Sequence, residues 1–468
     1  MAPVAAVFLA IAALVYAGFA AGRFFERTRF PDVPILLGLG LVLGPLNRYA
    51  VGQGWGSTAL ADALDPADLA NAAPFIAALA LVVLLFDSGM ELDFLAFRKS
   101  LGPAFLHTLP ILLLTVLGIA VLGHYVLGIP ILVAVLLGVA LVNVDQAVSS
   151  GVLSRLEMRE DLRAMYFVEM ALYDLISIPL IVSLLKFAEG AESGVGLASF
   201  AQGFGVMVII SLFVGAAGGI AWIFALRGLK GHAHSYMLTF ATTLGVYGAS
   251  EFLGGSGAMS ILLFGLAVGN RAAILRRFAH LQRIDTEHVK VQSFHDEVTF
   301  LVRTLFFLYL GIGFSIGNEA RWPVPSPLPL LSDLGTGVLF IIATVLVLSI
   351  LVLARWFPVT AMAAATKDPQ RKGLFPVFGR GLDTAVLATL PFVAGAFTVG
   401  TPYYATFAPW QPVFIDLALL TILLTVLVSS VFVWQYERGG PDAVAGRRRP
   451  AKTAPRSAPA ARPARRVP

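Results

Sequence analysis

The chain has 468 residues, 58% of them hydrophobic and only 13% charged, with a mean hydropathy of +0.83. A water-soluble domain carries about 25% charged residues, so this composition excludes folding in water and makes lipid the solvent. The net charge of +5 reports membrane topology rather than nucleic-acid binding, and the absence of cysteine excludes disulfides, thiolate metal sites and cysteine nucleophiles.

In chain order, the first apolar run begins at Val4 with no basic residue before it, which marks a retained helix rather than a cleaved signal. A spanning helix needs roughly 17–25 mostly apolar residues. Such runs, some shortened or interrupted, fall near 4–22, 32–47, 72–90, 102–126, 129–153, 164–186, 200–227, 235–253, 257–271, 294–317, 336–362, 377–398 and 412–435. They predict an all-helical, polytopic membrane protein with about thirteen spans in a transmembrane domain over residues 1–436. Basic residues collect after every odd span: Arg23, Arg27 and Arg29; Arg98 and Lys99; Arg155, Arg159 and Arg163; Arg227 and Lys230; Arg271 to Lys290; Lys367 to Lys372. Arg48 and Arg321 are the exceptions. The alternation predicts an integral protein of a bacterial-type inner membrane, with the N-terminus outside and the C-terminus in the cytoplasm. Residues 437–468, rich in Gly, Pro, Ala and Arg, predict a disordered basic tail that enforces topology or makes weak contact with anionic lipid.

The informative residues are the ionisable ones inside spans, because a charge near the bilayer centre costs at least about 2.5–3.5 kcal/mol. Span five carries Asn143, Val144, Asp145 and Gln146 after an apolar run; span six carries Glu169 and Asp174; span eleven carries Arg355; span twelve opens with Arg380, Gly381, Asp383 and Thr384. Spans five and twelve are both interrupted at comparable places in the two halves of the chain. Such interruptions mark transporter sites, where freed carbonyls and half-helix dipoles meet an ion. Glu169 and Asp174 are five residues apart, about 140° around a helix, and cannot point at one spot. Arg355 is the expected partner of Glu169, since a pair is tolerable where a lone charge is not. Asp174 is then left without a dedicated cation. A carboxylate in such a place can hold either a proton or a metal cation, which is the minimal chemistry of antiport.

Blander readings exist for each: Asp174 as a structural hydrogen-bonding residue, Asp145 as a residue of the cytoplasmic helix end, Arg380 as an interfacial charge. The seven histidines, His107 among them, read as loop or helix-end residues whose spacing makes no metal set, with pH sensing as the sharper alternative. No nucleophile–base set, phosphate loop or metal-ligand cluster points to an enzyme.

At these residues the chain resembles the monovalent cation:proton antiporter superfamily, in its Na+/H+ exchanger-like, NhaP-type branch with a divergent ion-site motif. The resemblance is carried in order by FPDVPILLGLGLVLGP, LVVLLFDSGMELDFLAFRKS, ASEFLGGSGAMSILLFGLAVGNR and FHDEVTFLVRTLFFLYLGIGF. That branch has Thr-Asp-Pro in its fifth span, where this chain has Val144, Asp145 and Gln146. It has Glu-Ser-x-x-Asn-Asp in its sixth, where this chain has Glu169, Met170, Tyr173 and Asp174. Arg380-Gly381 resembles its Arg-Gly at the second broken helix. The resemblance implies an inverted-repeat fold with two broken crossing helices, a scaffold bundle, a mobile core containing spans near 129–186 and 336–398, and a homodimer. It implies Asp174 and Asp145 as ion- and proton-binding residues. Asn143, Val144, Tyr173 and Gln146 would support them, and Glu169–Arg355 would be a structural ion pair. No cofactor is expected, only transported Na+ or K+ and H+, exchanged one for one at Asp174. The rival readings are a proton-uncoupled channel and a non-transporting membrane protein on the same scaffold.

Overall fold

The computed structural model describes residues 12, 13, 15–24, 33–58, 61, 64, 66–153, 156, 158–190, 197–228, 235–276, 288–314, 336–393 and 407–443. Among the described residues every regular element is helical. The helices are α1 (15–24), α2 (Val33–Gly52, widened into a π turn at Val42–Leu46), α3 (Pro66–Glu91), α4 (Phe94–Val126), α5 (Ile131–Val142), α6 (Gln146–Leu153), α7 (Glu160–Gly190), α8 (Leu197–Gly228), α9 (Ser235–Phe252), α10 (Gly257–Gly269), α11 (His288–Gly313), α12 (Thr336–Ala365), α13 (Leu382–Val393) and α14 (Gln411–Ala443). With α5 and α6 as two halves of one pass, they fall one by one on the thirteen expected spans. Six are long and apolar enough to cross a membrane by length and composition alone, and α5 and α10 are shorter apolar helices.

Lipid explains the surface. Leu106, Ile209, Phe213, Ile341 and Leu353 all stand exposed on long apolar helices, an arrangement affordable only where the surroundings are as apolar as the side chains. Inside, helices approach through small residues. A methyl added at Gly89 of α3 would meet the backbone of Leu262 and Gly265 of α10, and one at Gly265 would meet Phe86 and Gly89 in return. Hydroxyls within helices satisfy themselves on the preceding turn, as Thr108 does on the carbonyl of Ala104 at 2.8 Å.

Two details refine the sequence reading. Arg48, an exception to the basic-loop pattern, donates to the carbonyls of Ile312 at 3.0 Å and Phe314 at 3.4 Å. It therefore closes the C-terminal end of α11, where a cation is favoured. Helix α14 runs to Ala443, beyond the expected boundary at 436. Residues 444–468 of the basic tail, Arg321, and His232, His234 and His280 lie outside the described residues.

Candidate functional site

Two spans lose their helical hydrogen bonds in the protein interior. Helix α5 is apolar on every face and stops at Asn143, whose backbone is extended; residues 143–145 are non-helical, and α6 restarts at Gln146. In the other half a short 3-10 helix, Pro369–Leu374, is followed by a turn, a non-helical stretch at 377–381, and then α13. The two unwound stretches cross. The amide of Asp145 donates to the carbonyl of Gly379 at 3.1 Å, and the Thr384 hydroxyl donates to the carbonyl of Asn143 at 3.2 Å. Gly381 is required for the approach: a Cβ there would occupy the space of the Asp145 carboxylate.

The broken ends expose backbone groups that water would ordinarily satisfy. Arg380, 1% exposed, supplies donors at the C-terminal end of α5, to Leu141 O at 3.1 Å and Val142 O at 3.3 Å, and also to Phe378 O at 2.6 Å. Its own amide donates to Thr425 Oγ1 of α14 at 3.0 Å. Arg355 does the equivalent for the 3-10 helix, reaching Leu374 O through Nε at 3.2 Å and Nη2 at 3.0 Å. At the opposite polarity, Asp145 Oδ1 accepts the Val148 amide at 2.8 Å and caps the N-terminus of α6. Guanidinium groups thus sit at the two negative helix ends and a carboxylate at a positive one. Arg380 is a buried cap, not the interfacial charge of the blander sequence reading, and Asp145 is buried at the break.

Asp174 faces this crossing from α7 and is buried. Its Oδ1 accepts the Asn143 side-chain amide at 2.7 Å. Asn143 Oδ1 in turn lies 2.8 Å from the Ser177 hydroxyl, which also reaches the Tyr173 carbonyl at 2.6 Å. That orientation of the Asn143 amide presents its donor to the carboxylate and its acceptor to the hydroxyl. Among the described residues no Lys or Arg pairs with Asp174. Asp383, half-buried in the first turn of α13, is near enough to Asp174 and Asp145 for the three charges to act on one another. Among the described residues no group of three or more His, Asp or Glu side chains has the geometry to hold a metal ion.

One and a half turns earlier on α7 lies a different arrangement. Glu169, fully buried, takes Arg355 Nη1 at 2.7 Å and the Tyr173 hydroxyl at 3.0 Å on one oxygen, and His107 Nδ1 at 3.1 Å on the other. The Arg355 guanidinium also lies over the Tyr166 ring, 5.5 Å from its centroid, and Tyr166 donates to Val377 O at 2.7 Å.

The geometry redistributes several expected residues. Tyr173, expected beside the ion, gives its hydroxyl to Glu169, four residues before it on the same helix face. The Val144 side chain packs with Tyr166, Met170 and Tyr173 in an apolar cluster. Gln146 turns to α3 and donates to Glu91 at 2.6 Å. His107 is neither a loop nor a helix-end residue; it is buried inside α4, and the signal for it was a histidine inside a run fit to span. Ser177 and Thr425 were also missed, because hydroxyls in a span ordinarily bond to their own helix.

Comparison with known proteins follows the same outline. The family model for the transmembrane sodium/hydrogen exchanger matches residues 9–436. The chain is 28% identical over 207 residues to a K+/H+ antiporter, NhaP2, of Shewanella sp. strain ANA-3, covering 43% of this chain and 35% of that protein. It is 27% identical over 248 residues to a K+/H+ antiporter, NhaP, of Alkalimonas amylolytica, covering 51% and 39%. It thus spans little more than a third of the length of these curated relatives. A probable Na+/H+ antiporter 2 of Methanocaldococcus jannaschii is 22% identical over 331 residues, 68% of this chain and 72% of that one. The solved structure of the sodium proton antiporter MjNhaP1 from the same organism superposes with a TM-score of 0.66 at 18% identity, covering 92% of this chain and 99% of that one; this likeness shows the fold.

Proposed function

The chain belongs to the sodium/hydrogen exchanger family, and on that premise we propose that it is a secondary transporter exchanging a monovalent cation, Na+ or K+, for H+ by competition at Asp174. The observation that carries the reading is the contrast on α7. Glu169 has a guanidinium at 2.7 Å, while Asp174, at the crossing of two broken helices, has a neutral amide. A buried carboxylate without a counter-ion has two ways to lose its charge, a proton or a cation, and they exclude each other.

In the proposed cycle Asp174 releases its proton to one side and takes up the cation with oxygens of the crossing. The core holding spans near 129–186 and 336–398 moves against the scaffold helices, and the trade is reversed on the other face. Asp145 and Arg380 keep the broken ends neutralised while this happens, and Glu169–Arg355 keeps its charge through the cycle. One carboxylate trading one proton for one cation makes the exchange electroneutral. The transported ions are the substrates, and no resident cofactor is invoked. The protein works as a homodimer in a bacterial-type inner membrane, N-terminus outside, with the basic tail in the cytoplasm against anionic lipid.

The test is proton flux in proteoliposomes carrying a preset pH gradient, with Na+, Li+ and K+ added in turn and Asp174→Asn as control. Cation-evoked collapse of the gradient, absent in the variant, is the expected result and names the ion. A folded wild-type protein that responds to none of the three would end the antiport reading.

A further inference from the structure

Among the described residues, His107 is a buried imidazole beside α7 that the proposed cycle does not use. It sits inside α4, 1% exposed, in a segment otherwise made of Leu, Phe, Thr, Pro and Ile. Its Nδ1 lies 3.1 Å from Glu169 Oε2, and its Nε2 is buried and has no hydrogen-bond partner among the described residues. Glu169, holding Arg355 and the Tyr173 hydroxyl, is ionised and can only accept. Nδ1 therefore carries a hydrogen and donates, which leaves the lone pair of the neutral ring on Nε2. A buried acceptor facing no donor is uncommon and calls for an explanation.

We infer that His107 is a second proton-binding site, and that a proton held at its Nε2 weakens cation binding at Asp174. The inference rests on the reading of Asp174 as the cation site. The surroundings fix the sign of the effect. Glu169 faces His107 from α7, and the other Glu169 oxygen holds the Tyr173 hydroxyl and Arg355 of α12, with Arg380 near enough to act on Tyr173. Helix α5, packed against α4, contributes no titratable residue at all, and the basic residues of α4 itself, Arg98 and Lys99, lie more than two turns away at the exposed end. Glu169 and Arg355 cancel, so protonating the imidazole adds one positive charge with no new partner for it. That charge sits about 7.5 Å along α7 from the level of Asp174, in an interior with little screening.

A continuous chain of contacts joins the two places: His107 to Glu169, Glu169 to the Tyr173 hydroxyl, the Tyr173 carbonyl to Ser177, Ser177 to Asn143, and Asn143 to Asp174. Coupling between two binding events is reciprocal. A bound cation therefore drives the proton off His107 by the same factor that the proton weakens the cation.

The test uses the full-length protein and His107→Gln, which retains a donor for Glu169 and cannot titrate. For competition at one carboxylate, apparent cation affinity falls at most tenfold per pH unit on the acid side. The wild type is expected to exceed tenfold, and His107→Gln to return to tenfold or less. Superposable pH profiles for the two folded proteins would refute the inference while leaving antiport intact. A second readout needs no transport: 15N-histidine spectra of the wild type at fixed acid pH, with His107 assigned by its absence from the variant. Saturating Na+ or K+ should convert part of its imidazolium to the neutral ring in the wild type and not in Asp174→Asn. A ring indifferent to the cation overturns the coupling even if His107→Gln fails to fold. A wild type in which no cation evokes any response overturns the exchange reading and this inference together.

Discussion

Helix α7 carries two buried carboxylates five residues apart, and the chain treats them in opposite ways. Around Glu169 the structure assembles a guanidinium, a phenol and an imidazole, so that its charge is held by partners from three helices. Around Asp174 it assembles an amide, a hydroxyl one contact further out, and the ends of two interrupted helices. A carboxylate held by three donors, one of them a guanidinium, is a fixture. One without a counter-ion in a dry interior is a place where charge must be exchanged. The difference arises from the helical period, which turns the two residues about 140° apart and presents them to different neighbours.

The comparison can be broken most severely at Asp174. Asp174→Asn keeps the hydrogen bond to Asn143 by an amide flip and removes the exchangeable charge, so exchange should fall at least about 100-fold with the protein still monodisperse; on a rate scale that is about 2.7 kcal/mol or more. At the other carboxylate the damage should be to folding. Arg355→Met strands Glu169 and is expected to cost about 3–5 kcal/mol, read as a lowered thermal midpoint in detergent. Adding Glu169→Gln to that variant should recover part of the loss, because the stranded charge is gone. Gly381→Ala drives a methyl into Asp145 at the crossing and should cost about 1–3 kcal/mol, with a parallel loss of exchange that Asp174 substitutions do not share with stability. The smallest effect is assigned to Tyr173→Phe. Losing one hydroxyl bond to Glu169 should cost about 1 kcal/mol and leave the relative rates with Na+, Li+ and K+ unchanged; an altered ion preference would return Tyr173 to the ion's surroundings.

Much of the fold was legible from local pattern. Apolar runs of spanning length registered with the helices one by one, since hydropathy and helical hydrogen bonding are decided within a segment. The interruption after Val142 could be read from Asn143 and Asp145, and the pairing of Glu169 with Arg355 from the cost of leaving either charge alone. The near neighbours of the site were less legible. Tyr173 adjoins Asp174 in sequence and so looked like part of its surroundings, yet on a helix the residue before an acid points about 100° away, and it joined Glu169 instead. Gln146, in the place of a proline in the resembling motif, looked like an ion-site residue and bonds to Glu91 of α3. His107 looked peripheral because nothing near it in sequence is charged.

The sequence by itself determined that this protein lives in lipid, where its helices run, where two of them break and that Asp145, Glu169 and Asp174 are buried, because each follows from the cost of placing a given side chain or backbone group in hydrocarbon. Glu169 with Arg355 apart, only the tertiary structure decided which partners those groups found. Arg380 reaches the end of α5 across 238 residues of chain, and His107 reaches Glu169 across 62. Such pairings depend on helices brought together by packing, and no local pattern in the chain records them.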